Sequence, residues 1–67
     1  MKPLTFRDAE RMLRERGFRL ARSSGSHCVF RHEDGRRVVV PRHTGDIPMG
    51  TSRAILRDMG IDPATYR

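Results

Sequence analysis

The chain has 67 residues, with 14 Lys and Arg against eight Asp and Glu and a formal net charge of +6. That length holds one domain, taken as a single unit over residues 1–67, and buries so little apolar surface that the fold has a thin core or leans on a partner; a multidomain enzyme is excluded. There is no apolar leader near Met1, no apolar run of the ~18 residues that a membrane span needs, and only one cysteine, Cys28, so a reducing cytoplasm is the expected location.

All the basic residues except Lys2 are arginines, whose flat guanidinium suits bidentate contact with phosphate. The expected partner is therefore polyanionic. Nucleic acid ranks ahead of an acidic protein or an anionic membrane surface, because its phosphates release counterions to clustered positive charge.

Along the chain, Thr5 and Asp8 have the spacing of a capping box with Asp in place of Glu, and Phe6, Ala9, Met12 and Leu13 follow at helical intervals. This predicts a helix over about 6–16, closed by Gly17 in the left-handed conformation with Phe18 as its hydrophobic contact. Alternation of Phe18, Leu20 and Arg22 with Arg19, Ala21 and Ser23 predicts a short half-buried strand, ended by a turn at Ser23-Ser24-Gly25. A second strand is expected from Ser26 to His32 and a third from Arg36 to Pro41, joined through Glu33-Asp34-Gly35. Beyond a loop from Arg42 to Pro48, Ser52, Ile55, Leu56 and Met59 predict a second helix over about 49–59, with Gly60 closing it. Asp62-Pro63 caps a last turn. The fold class is α+β, in helix-strand-strand-strand-helix order, with a three-stranded antiparallel sheet and both helices on one face.

The register of the second hairpin decides which side chains share a face. A three-residue loop with Gly35 at the left-handed bulge position pairs His32 with Arg36, Arg31 with Arg37 and Phe30 with Val38. Cys28, Phe30, Val38 and Val40 then lie on one face, and His27, Val29, Arg31, Arg37 and Val39 on the other. A two-residue Asp34-Gly35 loop mixes apolar and charged residues on both faces and is the poorer choice.

His27 follows Ser23-Ser24-Gly25-Ser26, where few bulky side chains stand, and in this register it points away from the helices. An imidazole, with an ordinary pKa near ~6.5, both takes and gives protons near neutrality, as general acid and base catalysis requires. On RNA it would deprotonate a 2′-hydroxyl or protonate a departing 5′-oxygen while arginines stabilise the phosphorane. Exposed histidines are common and most are inert, so residue type alone leaves both readings open. Arg31 and Arg37 fall opposite each other, an arrangement that an anion between them would relieve, unless the two side chains simply splay into water. Arg22, Arg36 and Arg42 extend the same patch, and Gly25 and Ser26 flank His27 as further RNA contacts. No metal site is expected: His32 falls on the other strand face, His43 lies beyond the third strand, and no carboxylate completes a ligand set. Cys28 faces away from His27 and reads as a core residue.

Gly17-Phe18, then Gly25-Ser26-His27 with Phe30, then Val39-Val40-Pro41 and His43, then Gly50-Thr51 with Ile55-Leu56 occur in an order that resembles the HicA toxin family from about Thr5 to Ile61. The resemblance implies a fold like the double-stranded-RNA-binding domain and a metal-independent ribonuclease that needs no cofactor and cuts mRNA. It also implies that the histidine of Gly-Ser-His, here His27, is catalytic, and that a HicB-type antitoxin covers it. Two positions depart from the family pattern. Ser52 stands where leucine commonly follows Gly-Thr, and the loop from Thr44 to Pro48 carries Asp46 and no lysine. The competing reading is a passive RNA-binding module of the same fold, with His27 only touching backbone. A helix-turn-helix DNA regulator is excluded by the three-strand segment between the helices.

Overall fold

The capping box closes as its spacing predicts: the Asp8 N–H donates to Thr5 Oγ1 at 3.1 Å, and the Thr5 N–H donates to Asp8 Oδ2 at 3.2 Å. Helix α1 (Phe6–Glu15) follows and buries Ala9, Met12 and Leu13. It stops at Gly17, in the left-handed conformation at φ +87°, with Gly17 N–H donating to Arg14 O (3.1 Å) and Phe18 N–H to Leu13 O (2.9 Å) across the end of the helix. The computed structural model describes residues 1–66.

Three antiparallel strands come next in sheet order β1-β2-β3: β1 (Arg19–Ser24), β2 (His27–Arg31) and β3 (Arg37–Pro41). The β2–β3 hairpin has the predicted register, with Phe30 opposite Val38 and Arg31 opposite Arg37. Its loop is the three-residue form: His32 N–H donates to Arg36 O at 2.9 Å, and Gly35 takes φ +100°.

The first hairpin departs from the sequence reading in three ways. Its turn is Gly25-Ser26 and not Ser23-Ser24-Gly25, because β1 continues until Ser24 pairs with His27. A bulge at Ala21 shifts the register between Leu20 and Arg22. Finally, β1 is not half-buried; all six of its residues are exposed, Leu20 at 41%. Both helices pack over β3, leaving the edge strand β1 outside their cover.

Helix α2 (Met49–Asp58) buries Ser52, Ile55 and Leu56 and ends at Gly60 with the same pair of bonds as α1, Gly60 N–H to Arg57 O (3.0 Å) and Ile61 N–H to Leu56 O (2.8 Å). Asp62 caps a 3-10 turn (Pro63–Thr65) by accepting the Ala64 N–H at 3.0 Å. The core joins the inner sheet residues Cys28, Phe30, Val38 and Val40 to Leu13 of α1 and Ile55 and Leu56 of α2, so both helices lie on one face of an α+β fold.

Leu4 and Ile47 are also wholly buried, which periodicity did not predict because each stands alone in an irregular segment. Ser52 explains how they stay there. Its hydroxyl accepts the Leu4 N–H at 3.0 Å and donates to Ile47 O at 3.0 Å, while Ile47 N–H reaches Leu4 O at 2.7 Å. Ser52 thus satisfies backbone that would otherwise be buried without partners. Among the described residues no helix is long and apolar enough to cross a membrane.

Candidate nucleic-acid interface

The face of the sheet turned away from the helices follows from strand pairing, since residues directly opposite one another share a face. It has three rows. Ser24, His27 and Pro41 form the first; Arg22, Val29 and Val39 the second; Arg19, Arg31 and Arg37 the third. No Asp or Glu occurs in any of the three strands.

The bulge at Ala21 makes this composition possible. In an unbroken strand, residues three apart point to opposite faces, and Arg22 would sit over Cys28 on the apolar side. With Ala21 left unpaired, Arg22 moves opposite Val29 onto the open face, and the small Ser23 takes the place beside Cys28, its Oγ 3.7 Å from Sγ.

His27 opens β2 and is exposed. It is set there by the two-residue Gly25-Ser26 turn, where Gly25 adopts φ +55°, a left-handed conformation that favours glycine. Ser26 Oγ lies 3.4 Å from His27 Nδ1, and among the described residues Nε2 makes no hydrogen bond. The nearest arginine on the same face is Arg22, one row away.

Other sequence-predicted residues are elsewhere. Arg42 donates its backbone N–H to Ser26 O, but its guanidinium turns to the helix side, 5.0 Å over the Phe6 ring and 3.2 Å from Cys28 Sγ. Arg36 is likewise held inward, 5.1 Å over Phe18, with Nη1 donating to Met59 O at 3.3 Å and Nε to Asp34 Oδ2 at 2.8 Å. The backbone N–H of Arg36, foremost, holds the Asp34 carboxyl below its ordinary value. His32 sits edge-on against Phe18 with ring centroids 5.1 Å apart, on the opposite side of the sheet from His27. Cys28 is fully buried, as a core residue would be. Among the described residues no three of His, Cys, Asp and Glu converge as a ligand set.

Arg19 is the residue that sequence reasoning missed. Its place opposite Arg31 depends on the Gly25-Ser26 turn together with the bulge at Ala21, without which Arg19 would fall opposite His32; the Gly-Ser dipeptide signals the turn, and nothing in the sequence signals the bulge.

The family model described as the HicA toxin of bacterial toxin-antitoxin matches residues 6–61. The chain belongs to the HicA toxin family. No curated protein matches it. As a HicA-family member it is the toxin half of a toxin–antitoxin pair, and an antitoxin is its partner. The matched span takes in α1, all three strands and α2, so the open face with its arginines and His27 lies wholly inside the family region.

Proposed function

We propose that this HicA-family toxin is a metal-independent endoribonuclease that cuts mRNA, with His27 as its catalytic group. The observation that carries the reading is the exposed imidazole at the start of β2, on a face with four arginines and no carboxylate. In the proposed reaction the substrate's 2′-oxygen attacks the adjacent phosphorus and the bond to the 5′-oxygen breaks. His27 takes the 2′-hydroxyl proton or supplies one to the leaving oxygen. A 2′,3′-cyclic phosphate and a 5′-hydroxyl result, and no redox partner or metal-bound water enters the balance.

Arg22, one row from His27 and about 7 Å along the strand, is the arginine best placed to meet charge developing on the phosphorane. Gly25 and Ser26 contact the backbone beside the scissile bond, and Arg31 and Arg37 hold RNA further along the face. Arg42 enters as a support of the Gly25-Ser26 turn through its bond to Ser26. The antitoxin is of the HicB type and inhibits by covering His27.

His27→Ala tests the reading. Cleavage of RNA and growth arrest are lost while the circular dichroism spectrum and antitoxin binding are kept, and wild-type cleavage survives a chelator. Cleavage persisting in His27→Ala overturns the assignment. RNA that is shifted on a gel by the wild-type protein and left uncut makes the chain a binding module.

A further inference from the structure

The third row of the open face has a property that the others lack. Arg31 on β2 has Arg19 opposite it on β1 and Arg37 opposite it on β3. Neighbouring strands lie about 4.8 Å apart, so three guanidinium stems rise within about 10 Å of one another. Like charges directly opposite destabilise a sheet. Among the described residues none of the three is in an ion pair, the available carboxylates being used by Arg11, Arg14, His32 and Arg36 or lying outside the strands. A lone cross-strand pair relieves its repulsion by splaying its side chains into water. Arg31 is flanked on both sides, so moving away from one neighbour brings it toward the other.

The row is also far from the chemistry. Arg31 is four residues along β2 from His27, about 13 Å of extended strand, too far for a side chain there to hold the phosphate of the bond beside which His27 moves a proton. The row between them, Arg22, Val29 and Val39, presents two low apolar side chains, with Val39 38% exposed, over which a nucleotide strand can pass.

We propose that Arg19, Arg31 and Arg37 form a second phosphate subsite, which grips the RNA backbone away from the cleaved bond and sets where along the strand His27 acts. The proposal rests on the ribonuclease reading of the same face. Three guanidiniums raised from adjacent strands match a phosphate's several acceptor oxygens, and a bound phosphate turns the repulsion of the row into attraction. These are positioning residues, so their loss weakens binding and leaves the chemical step alone.

Two measurements test it. Binding of a single-stranded RNA oligonucleotide by fluorescence anisotropy, on the His27→Ala background so that the RNA stays whole, is followed from about 50 to 200 mM salt. Adding Arg19→Gln, Arg31→Gln and Arg37→Gln together lowers the slope of log K against log salt by about 0.7 for each phosphate released. With His27 present, the same three changes raise KM at least tenfold and leave kcat unchanged. In the wild-type protein, a neutral methylphosphonate placed singly along the substrate reproduces that rise at one position away from the cleaved bond, and at that position it has no further effect in the triple variant. An unchanged salt slope, a fall in kcat at constant KM, or methylphosphonate sensitivity confined to the cleaved bond overturns the proposal. So does a triple variant that binds RNA normally and loses affinity for the purified antitoxin, because the row is then a protein-docking surface. If the wild-type protein cuts no RNA, the ribonuclease reading fails and the salt slope still decides whether the row holds phosphate.

Discussion

On the inner face of the sheet Cys28, Phe30, Val38 and Val40 are wholly excluded from solvent, while one residue further along the same strands His27, Arg31, Arg37 and Val39 stand exposed. Because side chains alternate strictly, a slip of one residue would exchange the two sets, burying Arg31 and exposing Phe30. The three-residue loop at Gly35 prevents that slip in the β2–β3 hairpin. The difference teaches that the two faces are separable: the inner one carries the core, and the proposed function places the chemistry on the outer one, so substitutions one position apart should have unrelated effects.

The largest separation is expected at His27. His27→Ala should lower the rate of RNA cleavage by about 10²- to 10⁴-fold, the range for loss of a general acid or base, while stability moves by no more than about 0.5 kcal/mol, as at other exposed positions. Rates come from single-turnover cleavage and stability from urea unfolding. A large loss of stability would mean that the outer face is not separable from the core.

Phe30, three residues along the same strand, is the counterpart. Phe30→Ala should cost about 3–5 kcal/mol through lost burial and the cavity left behind, which is a large part of what so small a chain has. The free toxin should then be mostly unfolded, and its antitoxin should restore part of the fold by mass action. Phe30→Ala melting within 1 kcal/mol of the wild type would show that the inner face collapses around the gap.

What the sequence shows and hides follows the same division. The helix ends at Gly17 and Gly60, the capping box at Thr5, and the β2–β3 register were legible because each is a local pattern with one good solution. The bulge at Ala21 was not, since an unpaired residue in an exposed edge strand leaves no mark on the hydrophobic pattern. The inward turn of Arg36 and Arg42 was hidden for another reason. Each stands one residue outside β3, Arg36 before Arg37 and Arg42 after Pro41, and alternation carried one step further turns both to the helix side, where the Phe18 and Phe6 rings receive them; their positive charge had argued for the open face instead. His27 was read correctly as facing solvent, whereas the row of three arginines needed the pairing of β1 with β2 before Arg19 could join it.

A smaller effect sharpens the inner side of the comparison. Ser52 is the one buried polar residue among those described, and Ser52→Ala would leave the Leu4 N–H and the Ile47 carbonyl buried without partners. The expected cost is about 1–3 kcal/mol, measured by urea unfolding, with RNA cleavage per folded molecule unchanged. Hydrogen exchange should quicken first at Leu4 and Ile47, whose segments the hydroxyl joins. A uniform rise in exchange would mean that Ser52 serves general packing and not this particular junction.

The smallest effect is expected at the capping box, on neither face of the sheet, and it depends on pH. The Thr5 backbone N–H, then the Thr5 side chain, then Arg11 and Lys2 favour the charged form of Asp8 and hold its pKa below the ordinary 3.8. A carboxyl whose folded pKa is depressed adds stability that is complete above the unfolded value and disappears as pH falls through the folded one. Asp8→Asn keeps an acceptor for the Thr5 N–H but cannot carry the charge. The wild-type protein should therefore melt higher than Asp8→Asn at pH 5 to 7, with the gap closing below about pH 3.8. Asp34, depressed in the same direction by the Arg36 N–H, is present in both proteins and cancels in the difference. A gap that stays constant from pH 7 down to pH 2.5 would show that Asp8 stabilises α1 by its shape and hydrogen bond alone, with no contribution from its charge.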